Sequence, residues 1–269
     1  MKNVDFSELI SKILDVEYTD AIRIFGTMSD KEKESVLWII AEKYEMAVYP
    51  FILSLLIKNG SIILYNILDD ILSCALCYIE GAYQMAAYHM KRQIILYPED
   101  ISFKERILEL YYIPDVYAER SEYLKYANDI LALDSNNAIA IDFIKNKAKG
   151  DYGRGVYINA LFEEIKYLHF DNAYKMIESY SSERIYKELY MLAEFSKSMV
   201  VYIFLEYLLE KKNSIFLNTL AFDILTSVLS HIGGAQQMAA YHACKLIELD
   251  AKPEIYYHFV EELRLCHNV

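Results

Sequence analysis

The sequence predicts an all-α protein made of duplicated helical hairpins. Glycine and proline, which interrupt helices, are scarce, with 8 and 4 among 269 residues. The string Gln84–His89 (QMAAYH) recurs letter for letter as Gln237–His242. Helical chains with repeated units form bundles or stacked arrays, so we expect an α-solenoid or a two-lobed superhelix of about sixteen helices and no strand.

Local signals in the sequence support this fold class. Apolar residues recur at helical spacing, as at Ile10, Ile13 and Leu14. Ser29 and Glu32 form a capping box, because the serine hydroxyl can accept the Glu32 amide proton while the glutamate carboxylate accepts the Ser29 amide proton. This pair predicts the start of a helix.

The repeat extends well beyond the QMAAYH string. Residues 61–96 align with residues 214–249 without a gap, and 18 of the 36 positions are identical. Farther upstream, Val16–Ala21 corresponds to Leu168–Ala173 at an offset shorter by one residue, which predicts a single-residue insertion between the two stretches. A six-residue match inside a half-identical window indicates an internal duplication.

The duplication predicts three parts of the chain. A first helical lobe is expected at residues 1–98, intervening helices with a linker at residues 99–155, and a second lobe at residues 156–269. The linker itself is expected at residues 145–155 (KNKAKGDYGRG), because this stretch holds three of the eight glycines and a basic cluster.

Three segments share a pattern of an early aromatic residue, an aliphatic close, and then Asp or Pro before a turn. They are Tyr88–Pro98 (YHMKRQIILYP), Tyr126–Asn136 (YANDILALDSN) and Tyr241–Asp250 (YHACKLIELD). This pattern resembles the second helix of tetratricopeptide repeats, and Asn137 with Ala138 then starts a further helix as in that family. The tryptophan-containing signature of the first helix of that family is not visible. The resemblance implies divergent helical-hairpin repeats.

The chain is acidic throughout its length. Its net charge is −12, of which residues 1–150 carry −7 and residues 151–269 carry −5. Binding to a phosphate backbone requires clustered Lys and Arg, so we expect no nucleic-acid partner. A basic protein would be steered toward such a surface. The alternative is that the negative charge serves only to keep the protein soluble.

The sequence predicts a cytoplasmic protein. Its longest uncharged apolar run, Ala47–Ile57, is shorter than the roughly 18 residues that a membrane span needs. Asp5, Glu8 and Asp15 interrupt the apolar residues at the N-terminus, a composition that does not fit a secretory signal. We therefore expect neither a membrane anchor nor a membrane partner.

Cys74 and Cys77 have the spacing of half a zinc site. A structural zinc site normally has a second close pair of ligands, and none occurs in this sequence. In the alignment the two cysteines correspond to Ser227 and Ser230, which indicates a need for small residues rather than for metal ligands. We therefore expect no metal, and free, buried thiols at both positions.

The repeated Tyr-His pair is the strongest candidate for a binding site. Each copy could present a phenol and an imidazole to a shared groove, which gives four candidate binding residues: Tyr88, His89, Tyr241 and His242. The alternative is packing, in which the preceding alanines allow close helix contacts and each histidine satisfies a helix–helix hydrogen bond. Repetition within one chain favours packing, because repeated residues generally build the stack.

No catalytic, nucleotide-binding or cofactor-binding motif is present, so we expect neither an enzyme nor a cofactor. An enzyme that uses His89 and His242 is the least favoured alternative. The 25 tyrosines are of a type enriched in protein interfaces. The sequence therefore predicts a non-catalytic protein-binding module, most specifically an immunity protein that neutralises a basic toxin. The alternative function is a peptide-sensing or scaffolding helical-repeat regulator.

Overall fold

The computed structural model describes residues 5–58, 60–113, 116, 118–146, 159–249 and 254–267. Within these residues the chain forms helices joined by short turns and contains no β-strand, so the all-α class is confirmed. The linker was predicted at residues 145–155, and its residues 147–155 lie outside the described part of the chain.

The first six α-helices form a unit that we call the N-terminal half: α1 (Ser7–Leu14), α2 (Tyr18–Gly26), α3 (Asp30–Tyr44), α4 (Val48–Lys58), α5 (Ile62–Asp70) and α6 (Ala82–Leu96). Three connecting helices follow: α7 (Ile101–Leu110), α8 (Arg120–Leu133) and α9 (Ala138–Lys145). A 3-10 turn at Glu45–Ala47 precedes α4, and a π-helical turn at Ile71–Ala75 follows α5.

A second run of six helices follows in the same order, and we call it the C-terminal half: α10 (Ala160–Lys166), α11 (Phe170–Ile177), α12 (Ser182–Ser196), α13 (Met199–Lys211), α14 (Ile215–Thr226) and α15 (Ala235–Glu248). The final helix, α16 (Glu254–His267), packs on α15 as α7 packs on α6.

Unusual backbone angles recur at corresponding positions of the two halves. Three pairs of residues have positive φ: Val16 (57°) and Leu168 (60°), Glu45 (50°) and Lys197 (53°), Gly81 (94°) and Gly234 (80°). The sequence offset is 152 residues in the first two pairs and 153 in the third. The extra residue therefore lies after Lys197, where Ser198 caps α13.

The predicted helix starts are present. The backbone N–H of Ser29 donates to Oε2 of Glu32 at 2.9 Å, and the N–H of Glu32 donates to Oγ of Ser29 at 3.4 Å, so the capping box is confirmed. Helix α9 starts at Ala138, and Oδ1 of Asn137 accepts the N–H of Ala140 at 3.1 Å. A side chain that accepts an otherwise unbonded N–H stabilises a helix start by about 1 kcal/mol.

The corner between α5 and α6 has the same backbone hydrogen bond as the corresponding corner between α14 and α15. The N–H of Leu76 donates to the carbonyl of Ile71, and that of Leu229 to the carbonyl of Ile224, each at 2.9 Å and five residues back. The alanines that follow each corner in the QMAAYH strings are fully buried, as predicted: Ala86, Ala87, Ala239 and Ala240.

The predicted burial of Cys74 and Cys77 is wrong. Cys74 is exposed and Cys77 is half-buried, and both are free thiols. In this corner the apolar residues, such as Leu72 and Leu76, face the core, so the small residues between them face outward. The corresponding Ser227 and Ser230 are exposed as well. The alignment therefore showed that both copies have small residues at these positions, but it did not show whether their side chains face the core or the solvent.

The two halves contact each other through reciprocal pairs of residues. The N–H of Met46 donates to the carbonyl of Gly233 at 3.0 Å, and the N–H of Met199 donates to the carbonyl of Glu80 at 2.9 Å. Met46 corresponds to Met199 and Glu80 to Gly233, so each bond has its counterpart with the halves exchanged. Exchange of this kind is the property of a two-fold interface. The helices that meet there are α4, α6, α13 and α15.

Candidate functional site at the interface between the halves

The four residues predicted as binding residues lie in the interface between the halves. Tyr88 and Tyr241 are 7% and 8% exposed, and His89 and His242 are 1% and 0% exposed. They come from α6 and α15, whose alanine-rich stretches allow the close approach of neighbouring helices. The structure therefore brings both Tyr-His pairs to one region and places all four side chains inside it.

Two further tyrosines, Tyr49 and Tyr202, occupy the centre of this interface. Their rings lie 6.3 Å apart, and both residues are fully buried. The hydroxyl of Tyr49 is 3.0 Å from Nε2 of His89, and the hydroxyl of Tyr202 is 2.9 Å from Nε2 of His242. Neither tyrosine was among the residues predicted from the sequence, although an alignment extended upstream pairs Val48-Tyr49-x-Phe51 with Val201-Tyr202-x-Phe204.

The tyrosine of each QMAAYH string reaches across to the opposite half. The ring of Tyr88 lies 5.3 Å from that of Phe170 on α11, and the ring of Tyr241 lies 6.2 Å from that of Tyr18 on α2. Phe170 also contacts Phe204, at 5.2 Å between ring centroids. Aromatic pairs at these distances contribute about 0.5–1.5 kcal/mol each beyond the area that they bury, so these rings help hold the halves together.

Both ring nitrogens of His242 lie within hydrogen-bond distance of polar atoms. Its Nδ1 donates to Oδ1 of Asn218 at 3.0 Å, because an amide oxygen can only accept. Its Nε2 faces the hydroxyl of Tyr202 at 2.9 Å and Oε1 of Glu206 at 3.3 Å. The hydroxyl of Tyr202 donates to the same carboxylate at 2.6 Å. In the C-terminal half, histidine, tyrosine and glutamate thus form one buried network.

His89 has fewer polar neighbours than its counterpart, His242. Tyr65 and Leu53 stand where the C-terminal half has Asn218 and Glu206. Nδ1 of His89 consequently has no hydrogen-bond partner among the described residues. Burial, aided by the charge of Arg92, lowers the pKa of His89 to about 3, so this imidazole is neutral at physiological pH. Identical strings therefore carry histidines in different electrostatic environments.

An ion pair crosses between the halves beside these networks. Arg92 on α6 pairs with Glu210 on α13, and the hydroxyl of Tyr88 donates to the same carboxylate at 3.3 Å. Burial raises the pKa of Glu210, while the charge of Arg92 opposes that increase. The corresponding position in the N-terminal half is Ile57, which is 75% exposed. The ion pair therefore exists on one side of the interface only.

This arrangement holds the halves together but gives a ligand little access. None of the four predicted residues exposes more than 8% of its surface, so a ligand would reach them only if the halves separated. A binding role for Tyr88, His89, Tyr241 and His242 stays a prediction. The distances support hydrogen bonding and aromatic packing between helices.

The abundant tyrosines mainly build the interior. Within the described residues, only Tyr44, Tyr78 and Tyr257 are exposed. The others are buried or half-buried, and several, such as Tyr111 and Tyr123, pack ring against ring at 5.3 Å. The content of tyrosine in the described residues is therefore accounted for largely by packing, and few of these side chains are exposed to solvent.

A pocket of about 230 Å³ opens where the N-terminal ends of α6 and α13 meet α10 and α12. The rings of Phe162 and Phe195 stand at its rim, 6.3 Å apart and nearly perpendicular. Glu80 and Lys166 also line the pocket. It is smaller than the range of about 300–1,000 Å³ that is usual for small-molecule sites, and it fits one side chain better than a whole cofactor.

The connecting helices carry much of the negative charge. Residues 99–145, which run to the end of α9, contain ten acidic and five basic residues, a net charge of −5 out of the chain's −12. We call the outer surface of α7, α8 and α9 the acidic face. Five of its carboxylates are exposed: Glu99, Glu109, Asp129, Asp134 and Asp142.

The basic residues of this stretch point mostly away from solvent. Lys104 is buried, and its Nζ donates to the carbonyl of Pro98 at 2.9 Å. Arg106 pairs with Asp70 on α5, and Arg120 lies 5.2 Å from the ring centroid of Phe143. Lys104, Arg106 and Arg120 are thus held by contacts within the structure, whereas Lys125 and Lys145 are exposed.

The described residues contain no group of three or more His, Cys, Asp or Glu side chains that could hold a metal ion. None of the described helices is both long enough and apolar enough to cross a membrane. The chain matches no family model, and no curated protein and no solved structure shows significant similarity to it.

Proposed function

We propose that the chain is an internally duplicated helical-hairpin protein whose two lobes close on each other around a two-fold-like axis. The recurring positive φ angles and the reciprocal bonds of Met46 and Met199 support the duplication. Repeats of a linear solenoid contact only their neighbours. The bond between Met46 and Gly233 joins residues far apart in sequence, and it supports the two-lobed form of the expected fold. Kinship with tetratricopeptide repeats stays a prediction.

We infer that this scaffold is a non-catalytic binding module for a basic protein. The observation that carries this proposal is the acidic face, whose helices lie in a stretch of net charge −5 and expose carboxylates such as Glu109 and Asp129, while Arg106 pairs with Asp70. Complementary charge accelerates association and selects oppositely charged partners.

The most specific form of the proposal is a cytoplasmic immunity protein that neutralises a basic toxin. An acidic module without chemistry of its own suits rapid capture of a basic partner. A peptide-sensing or scaffolding regulator is the second candidate, and one observation favours it. The pocket between Phe162 and Phe195, with Glu80 and Lys166 beside it, has the size and mixed polarity to accept one side chain of a bound peptide.

Reversing charge on the acidic face should slow binding. We expect a variant with Glu99→Lys and Glu109→Lys to associate with its basic partner about ten times more slowly at low salt, with little change in dissociation. The partner would be isolated from the native host by affinity purification, and the rate constants measured by stopped-flow fluorescence at low and physiological salt. For the immunity form of the proposal, a stoichiometric amount of the chain should also abolish the partner's toxicity.

The matched control places the same charge change on another exposed surface. Glu183 and Glu194 on α12 are both exposed, and their replacement by lysine should slow association much less. An acidic partner, association rates that do not depend on salt, or equal effects of the two double variants would each refute the proposal.

A further inference from the structure

Asp69 is a buried carboxyl group that the C-terminal half lacks. It lies on α5 with no exposure to solvent, and Nε2 of Gln93 on α6 donates to its Oδ2 at 2.8 Å. Gln93 is also fully buried. The corresponding residues in the C-terminal half are Phe222 and Leu246. The hairpin of α14 and α15 in the C-terminal half therefore packs without a polar pair at this position.

This pair leaves two buried oxygen atoms without a hydrogen-bond donor. Oδ1 of Asp69 and Oε1 of Gln93 have no partner among the described residues. An ionised carboxylate and an amide oxygen can only accept, so these two atoms cannot bond to each other. A proton on Asp69 converts Oδ1 into a donor. The acid and the amide can then form two hydrogen bonds, from Nε2 to Oδ2 and from Oδ1 to Oε1, which satisfies both atoms.

The immediate surroundings favour the uncharged acid. Burial raises the pKa of Asp69 to about 8, and the opposing effects of Gln93 and Arg106 are smaller. Arg106 comes from α7 and is already paired with Asp70, the exposed neighbour of Asp69 on α5. The negative charge of Asp70 therefore offsets much of the effect of Arg106 on the buried carboxyl group of Asp69.

The other titratable groups of α5 and α6 do not supply a counter-charge. His89 on α6 is neutral because burial and the charge of Arg92 lower its pKa to about 3. Arg92 itself pairs with Glu210 across the interface between the halves. Burial raises the pKa of Tyr65 on α5, so its phenol is protonated. An ionised Asp69 would consequently be a buried, unpaired charge.

We propose that Asp69 binds a proton in the folded protein and acts as a pH-sensitive switch at the contact between α5 and α6. The neutral acid joins the two helices through its pair of bonds with Gln93, whereas loss of the proton leaves a buried charge that weakens the contact. Arg106 connects this contact to the acidic face, because its Nη1 donates to Oδ1 of Asn66 on α5 at 3.1 Å. Release of the proton would therefore also weaken the contact between α5 and α7.

The sign of the pH dependence follows from the direction of the shift. The pKa of Asp69 in the folded protein, about 8, lies above its ordinary value of 3.8, so the folded state binds the proton more tightly than the unfolded state. The contribution of Asp69 to stability is therefore fully present below about pH 4 and is lost as the pH rises to about 8. Within this window the ratio of folded to unfolded protein should fall by up to about tenfold per pH unit.

The test compares the wild type with Asp69→Asn, whose amide can donate to Gln93 without titrating. We expect urea unfolding to show the wild type losing stability relative to Asp69→Asn between about pH 5 and pH 8, with a constant difference at higher pH. Asp70→Asn, an exposed change on the same helix, should keep the pH dependence of the wild type. If Asp69→Asn does not fold, the double variant Asp69→Phe with Gln93→Leu, copied from the C-terminal half, is the reference.

Infrared spectroscopy tests the protonated acid directly. At about pH 6 the wild type should show the carbonyl band of a buried carboxylic acid, and this band should be absent from Asp69→Asn and from the double variant. The band should disappear as the pH rises through about 8. Absence of the band at pH 6, or a difference in stability from Asp69→Asn that does not change with pH, would overturn the proposal.

Discussion

Replacing Gly234 with alanine should destabilise the protein by roughly 3 kcal/mol or more. Gly234 caps α15 with φ of 80°, a left-handed conformation that costs other residues about 1–2 kcal/mol. A methyl group at this position would also overlap the backbone nitrogen of Ala47 in the opposite half. That backbone has little freedom to move, because the N–H of Met46 is bonded to the carbonyl of Gly233. The expected loss is a large share of the about 5–15 kcal/mol that stabilises a typical domain.

Two other glycines provide graded controls in urea unfolding experiments. At Gly81 the added carbon would lie 2.9 Å from the backbone nitrogen of Met199, a milder overlap, so Gly81→Ala should cost less than Gly234→Ala. Gly26, the last residue of α2, has open space around it, and Gly26→Ala should change stability by about 1 kcal/mol at most. A Gly234→Ala variant as stable as Gly26→Ala would show that the halves do not meet at this point.

Replacing Phe204 with alanine should cost about 3–5 kcal/mol, the usual range for a buried phenylalanine. Phe204 has no exposure to solvent, and its ring packs against Phe170 at 5.2 Å and Tyr207 at 5.9 Å. Phe170 in turn contacts Tyr88 in the other half. The cavity would therefore remove support from the contact between the halves as well as from α13. The free energy of unfolding measured in urea checks this value.

An exposed phenylalanine is the matched control for this substitution. Phe195 on α12 is 59% exposed, and Phe195→Ala should cost less than about 1 kcal/mol. Phe51 corresponds to Phe204 and packs against Phe25 at 5.6 Å, so Phe51→Ala should resemble Phe204→Ala in its effect. Equal stability of Phe204→Ala and Phe195→Ala would contradict the assignment of Phe204 to the core.

The sequence predicted those features that depend on local spacing. Helical periodicity and the shortage of glycine predicted the all-α class, and the Ser29–Glu32 box predicted the start of α3. The repetition of the alanines favoured close packing between helices at Ala86 and Ala239, and both residues are buried. In each case the physical cause lies within a few residues of the pattern, so the sequence was sufficient.

The features that the sequence did not predict depend on which helices meet in three dimensions. Cys74 was expected to be buried, because the alignment gave the size of the side chain but not the direction in which its helical turn faces. Tyr49 and Tyr202 were missed, because their importance comes from their position at the centre of the interface. The sequence left open whether Asp69 is buried or solvated, because the pattern around a lone carboxylate in a helix does not show which helix covers it.

A covalently joined pair of similar halves can differ at positions where an assembly of identical chains must repeat itself. In a closed dimer of identical subunits every residue near the axis occurs twice. Glu206 bonds to Tyr202 in the interface between the halves, and its counterpart is Leu53. A glutamate at both positions would place a second carboxylate in the same interface, and two neighbouring carboxylates oppose each other's ionisation. One continuous chain removes this restriction, and its interface can hold charge on one side and hydrocarbon on the other.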